Sequence, residues 1–89
     1  MPKIKVKKVI DGDTFQDTNG NFFRLADIDT PEKKKPGYKK AKGILDQFIG
    51  DEEIIIKVEG TSYGRKVVTA RMPGEKMTIN TKMKLKGYK

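Results

Sequence analysis

Asn19-Gly20, set between two apolar-containing stretches, Thr14 to Thr18 and Asn21 to Ala26, limits how this chain can fold more than any other feature. Asn-Gly suits the two central residues of a two-residue hairpin loop, where both must take positive φ, so a β-hairpin is expected here. With those two residues as the turn, Thr18 opposes Asn21 and Asp13 opposes Ala26. That pairing brings the turn Asp11-Gly12-Asp13 against Asp27-Ile28-Asp29, whereas a bulge would shift the register by one and leave open which face each side chain takes.

The remaining patterning adds strands and two helices. Residues 3–10 place Ile4, Val6 and Ile10 on one side of a strand with lysines between them, Lys8 being the exception. Pro36-Gly37 marks Lys33-Lys34-Lys35-Pro36-Gly37 as a loop. Tyr38, Ala41, Leu45 and Phe48 then recur at helical spacing, Ile44 widens the stripe, and Gly50 stands where a left-handed C-terminal cap is expected. Glu53 to Glu59 carries Ile54-Ile55-Ile56 and Val58, a β-branched run suited to burial on both faces. Gly60 to Gly64 reads as a turn, and Arg65 to Met72 as a strand ended by Pro73-Gly74. Asn80 is placed to cap a short last helix that bears Met83 and is closed by Gly87. Three strands, a helix, two strands and a helix predict a mainly β (α+β) fold. Its expected form is a five-stranded OB-type Greek-key barrel with a helix between strands 3 and 4 and a short C-terminal helix. The 89 residues, 35% of them apolar, leave room for one core, so residues 1–89 form a single domain.

Cysteine and histidine are both absent. Disulfides, thiolate zinc sites, thiol nucleophiles and imidazole acids or bases are thereby excluded, and chemistry falls to carboxylates, Arg, Lys, Tyr and hydroxyls. Twenty Lys and Arg against twelve Asp and Glu give a net charge of +8, a field that attracts polyanions. No apolar run approaches the roughly 20 residues of a membrane span. A cytoplasmic monomer with no membrane partner is the expectation.

Against that excess, Asp11, Asp13, Asp27, Asp29 and Glu32 gather near one end of the first hairpin. Clustered carboxylates repel unless a positive group sits among them. Arg24 and Arg65 are candidates, as is a divalent cation, which with only oxygen ligands would be hard, Ca²⁺ or Mg²⁺ rather than zinc or copper. Such a set suits a phosphodiester. A metal polarises its non-bridging oxygens, a guanidinium holds them in a fork, and a free carboxylate activates water.

Val9-Ile10-Asp11-Gly12-Asp13-Thr14-Phe15, Phe23-Arg24-Leu25-Ala26-Asp27-Ile28-Asp29-Thr30-Pro31-Glu32, Tyr63-Gly64-Arg65 and Ile79-Asn80 with Gly87 occur in this order. Together they resemble the staphylococcal (micrococcal) nuclease, or thermonuclease, family across residues 4–88. The resemblance implies an OB barrel and calcium-dependent hydrolysis of DNA and RNA, with single strands preferred and Mg²⁺ or Mn²⁺ as alternative ions. It implies Asp13 and Asp29 as side-chain metal ligands, Thr30 as a carbonyl ligand, and Asp11 nearby. It further implies Glu32 as general base, Arg24 and Arg65 on the phosphate, and Tyr63 against the nucleotide. Lys33, Lys34 and Lys35 would guide the phosphate backbone, and Asp27 matches no functional residue. Ser62 stands where the family's type member has lysine, and that member continues past the glycine matching Gly87 into further tyrosines and a third helix. Both departures imply weaker substrate binding. The rival expectation is a non-catalytic nucleic-acid-binding OB module with a vestigial site. Five acidic residues at a phosphate site weigh against it, because each repels a polyanion.

Overall fold

A computed structural model describes residues 2–89. The elements are β1 (Lys3–Asp11), β2 (Thr14–Asp17), β3 (Phe22–Leu25), α1 (Tyr38–Ile49), β4 (Glu53–Ser62), β5 (Arg65–Arg71) and α2 (Ile79–Leu85). The strands close into a barrel in the order β1-β2-β3-β5-β4, a mainly β architecture of the OB-like class with two short helices. Every strand pair is antiparallel except β3 with β5. Among the described residues no helix is long and apolar enough to cross a membrane.

The first hairpin forms as expected but in a different register. Thr14 pairs with Arg24, Phe15 with Phe23 and Gln16 with Phe22, one residue away from a pairing of Asp13 with Ala26. Asp17, not Asn19, controls the turn. Its N–H donates to Asn21 O at 3.0 Å, while Gly20 N–H donates to Asp17 O at 3.1 Å. Its buried carboxylate also accepts from the backbone of Asn19 and Asn21. Only Gly20 (φ 87°) is left-handed, which makes a longer, bulged hairpin loop. In this register Phe15 and Phe23 face each other inside the barrel, with ring centroids 5.5 Å apart.

Bulges also explain β1. The register with β2 shifts between Val6 and Lys8 and again between Val9 and Asp11, so the inward side of the strand changes parity. Val6 and Val9 are buried, and Ile10, expected inside, is half-buried. Lys8 is thereby carried outward, which removes its conflict with the alternation. In β4, Ile54 and Ile56 point inward, Ile55 is half-buried and Val58 exposed, so the run is not buried on both faces. The strand continues to Ser62, and the turn is Tyr63-Gly64 alone, both at positive φ.

Helix α1 buries Ala41, Leu45 and Ile49, with Tyr38, Ile44 and Phe48 at the margin. Its end departs from expectation. Gly50 has φ −57°, and the left-handed residue is Asp51 (φ 58°). Gly50 is required by proximity, because a Cβ there would lie 2.6 Å from the Asp46 carbonyl oxygen that its own N–H caps. Helix α2 is capped by Thr78, whose hydroxyl accepts from Thr81 N–H at 3.1 Å, and not by Asn80. Gly87 (φ 105°) does close it, with Gly87 and Tyr88 N–H donating to Lys84 and Met83 carbonyls.

Asn80 instead serves barrel closure. The parallel β3–β5 seam is only three residue pairs long, and the chain leaves it after Leu25. Asn80 Nδ2 donates to Ala26 O (2.9 Å) and Val68 O (3.1 Å), while its Oδ1 accepts from Ala70 N–H (2.9 Å). A buried side-chain amide thus completes backbone bonding where no strand continues.

Candidate active site

The β1–β2 turn, β3, the segment after it and the start of β5 converge at one rim of the barrel. Asp11, Asp13, Arg24, Asp29, Thr30, Glu32 and Arg65 line a single pocket there of about 260 Å³. Gly12 makes the convergence sterically feasible. A Cβ on it would stand 2.6 Å from Ala41 Cβ and 2.8 Å from Thr30 Cβ, so the turn, the Thr30 segment and α1 meet at a position that only glycine fits. The Tyr38 hydroxyl donates to Ile10 O at 2.8 Å and ties α1 to the same turn.

Asp13 is the most constrained of the acidic residues. It is buried, its N–H donates to Asp11 Oδ1 at 3.1 Å, and its Oδ1 accepts from the Thr14 hydroxyl at 2.9 Å. Burial, reinforced by the hydrogen bond and charge of the neighbouring Asp11 carboxyl, pushes its pKa up from 3.8 to about 6. Thr14 and Arg24 pull it back only in part. Asp29 and Glu32 are exposed at the pocket edge.

The two arginines are held differently. Arg24 Nη1 donates to Leu25 O (3.0 Å), Nη2 donates to Ile28 O (3.2 Å), and Nη2 lies 3.3 Å from Asp13 Oδ2. Its guanidinium therefore braces the segment leading to Asp29. Arg65 makes one side-chain hydrogen bond, from Nη1 to Thr14 Oγ1 at 3.2 Å, and retains free donors. Thr14 thereby links Asp13 to Arg65. Sequence reasoning gave Thr14 no role, although it stands within the Asp-Gly-Asp-Thr block, and neither spacing nor composition pointed to the bonds made by Tyr38.

The donor set suits a hard cation. It contains oxygen ligands only, two adjacent carboxyls whose mutual repulsion a cation would relieve, and one orphan. The buried Thr30 Oγ1 has no hydrogen-bond partner. Among the described residues no group of three or more acidic side chains forms a metal cluster, so protein oxygens would supply a partial shell.

Other expected site residues lie apart. Tyr63 sits at the β4–β5 tip, 96% exposed and outside the pocket lining. Lys33, Lys34 and Lys35 line a separate groove. Asp27 is exposed, left-handed at φ 62°, and absent from the pocket wall. No protein-family model and no curated protein matches the chain.

Proposed function

We propose that this chain is a metal-dependent phosphodiesterase of the staphylococcal nuclease type, acting on DNA or RNA with single strands preferred. The observation that carries this reading is the gathering of Asp11, Asp13, Arg24, Asp29, Thr30, Glu32 and Arg65, scattered over more than fifty residues of sequence, around one pocket. The strand order and the helix between β3 and β4 support assignment of the barrel to the five-stranded Greek-key OB type.

In this mechanism Asp13, Asp29 and the Thr30 carbonyl, with Asp11 nearby, would hold Ca²⁺, or Mg²⁺ or Mn²⁺ in its place. When bound there, the ion would supply Lewis-acid polarisation of a non-bridging phosphoryl oxygen and would offset its developing charge. Arg65, with donors uncommitted, takes phosphate oxygens in a bidentate fork. Arg24 adds positive charge while keeping the Asp29 segment in position. Glu32, exposed at the rim and outside the Asp11–Asp13 pair, takes a proton from water as it attacks phosphorus. The bond from phosphorus to the leaving sugar oxygen breaks, and solvent protonates that oxygen.

The test is cleavage of labelled single-stranded DNA with Ca²⁺, Mg²⁺, Mn²⁺ or chelator, with Glu32→Gln purified in parallel. Cleavage that requires metal and falls at least ~10²-fold in the variant, with folding and binding kept, is expected. Loss of binding in place of cleavage would overturn the role of Glu32. One observation favours the alternative of a non-catalytic nucleic-acid-binding module: both terminal nitrogens of Arg24 already donate to backbone carbonyls of the protein itself. Salt-sensitive binding without cleavage under any metal would establish that alternative.

A further inference from the structure

Thr14 opens β2, is only 3% exposed, and bonds through its hydroxyl to two pocket residues. Oγ1 donates to Asp13 Oδ1 at 2.9 Å and accepts from Arg65 Nη1 at 3.2 Å. Arginine can only donate, so Oγ1 meets it with a lone pair and spends its single proton on the carboxyl group. A β-branched side chain is stiff at χ1, which fixes where the hydroxyl stands.

Arg65 has little else to hold it. Thr14 pairs with Arg24 on β3, and Arg24 pairs with Val67 on β5, so β3 lies between Thr14 and the strand that Arg65 opens. The Arg65 side chain therefore crosses β3 to reach Thr14, over two strand spacings of roughly 4.8 Å each. Among the described residues it forms no ion pair and no second side-chain hydrogen bond. Arg24, by contrast, holds two carbonyls and lies against Asp13. A long side chain has many rotamers, and the bond to Thr14 selects among them. Because that bond uses Nη1, Nε and Nη2 stay side by side and uncommitted, an intact fork for a phosphate.

We infer that Thr14 is a positioning residue: its buried hydroxyl holds the Arg65 guanidinium at the carboxylate pocket, so that the arginine and the carboxylates act on one phosphate. Arg65 is then in place before substrate arrives, and less freedom is lost when a phosphate binds. The bearing on phosphate rests on the phosphodiester reading of the pocket, whereas the holding of Arg65 does not.

The test compares Thr14→Val, which keeps the side chain's shape and removes the hydroxyl, with Thr14→Ser, which keeps the hydroxyl. The full chain is labelled isotopically at its three arginines, Arg24, Arg65 and Arg71, and NMR follows their Nε resonances, that of Arg65 being assigned by its absence in Arg65→Lys. The Arg65 resonance should shift and show faster guanidinium rotation in Thr14→Val but not in Thr14→Ser, with Arg71 unchanged in both. Single-turnover cleavage of labelled single-stranded DNA at saturating metal should fall ~10- to 10²-fold in Thr14→Val, the scale of a misplaced catalytic group, and stay near the parent rate in Thr14→Ser. In an Arg65→Ala background, Thr14→Val should cost less than ~2-fold, because the two residues act as a unit. A merely structural role would keep its full cost in that background, and a role exerted through Asp13 would raise the metal concentration needed for half-maximal rate. Either result overturns the inference. So does an Arg65 guanidinium unaltered in a folded Thr14→Val, or a Thr14→Ser as impaired as Thr14→Val. Should Thr14→Val misfold, Thr14→Ala gives the same comparisons. If the parent cleaves with none of the metals, the hydrolase reading fails by itself, and the arginine resonances alone uphold or overturn the holding of Arg65 by Thr14.

Discussion

Substituting Asp13→Asn should stabilise this protein at neutral pH in the absence of divalent metal. Asp13 is only 7% exposed, and burial beside Asp11 lifts its pKa from 3.8 to about 6. At 1.36 kcal/mol per pH unit, the ionised form is disfavoured on folding by an amount on the order of 3 kcal/mol. The favourable effects of Arg24 and Thr14 are already contained in that net value. Between pH 3.8 and about 6 the folded state binds more protons than the unfolded state, so stability falls as pH rises through this window. The cost is absent below it and complete above it. Asn resembles the neutral carboxyl at every pH. The variant should match the parent near pH 3.5 and exceed it at pH 7.5 by ~1–3 kcal/mol, or at least about 4 °C in melting temperature. Circular dichroism melts across pH in chelator provide the assay. Adding Ca²⁺ at pH 7.5 should then raise the melting temperature of the parent more than that of the variant, because an ion that binds only the folded state stabilises it by mass action. A variant no more stable than the parent at pH 7.5, or a difference independent of pH, would refute the account of Asp13 as a destabilising carboxylate.

The arginines should separate by phenotype. Arg24→Ala leaves the Leu25 and Ile28 carbonyls without their donor and should cost about 2 kcal/mol in urea unfolding. Arg65→Ala, which loses one hydrogen bond, should stay within ~0.5 kcal/mol of the parent yet lower kcat by about 10²- to 10³-fold. A stability loss from Arg65→Ala as large as that from Arg24→Ala would contradict this division. Asn80→Ala removes three buried hydrogen bonds at the β3–β5 seam and should destabilise by about 3 kcal/mol. A measured cost under ~1 kcal/mol would mean that the seam closes without it.

Seven pocket residues were legible in the sequence because each lies in a short block whose order along the chain is informative: Asp11, Asp13, Arg24, Asp29, Thr30, Glu32 and Arg65. The condition of each was not. The elevated pKa of Asp13 requires burial, and burial is contributed by segments remote in sequence. The brace formed by Arg24 depends on where the chain turns after Leu25, and the Thr14 link to Arg65 spans 51 residues. The resemblance carried by Tyr63-Gly64-Arg65 implies a place for Tyr63 against the nucleotide. At positive φ in a two-residue turn it points to solvent, outside the pocket wall.

The sequence by itself determined the features that act within a few residues. Gly20, between two apolar-containing stretches, specified a hairpin, the Tyr38–Phe48 stripe specified α1, and Gly87 specified the end of α2, because turn conformations and helical spacing are local properties. Tertiary structure decided everything that compares distant segments. It set the one-residue change in hairpin register, the bulges that carry Val9 inward and Lys8 outward, and the use of Asn80 as a bridge between strands rather than a helix cap. The physical reason is common to all three. A strand's register and a buried polar group's partners are chosen by which distant backbone groups and apolar side chains must leave water together, and no short stretch of sequence contains both halves of that choice.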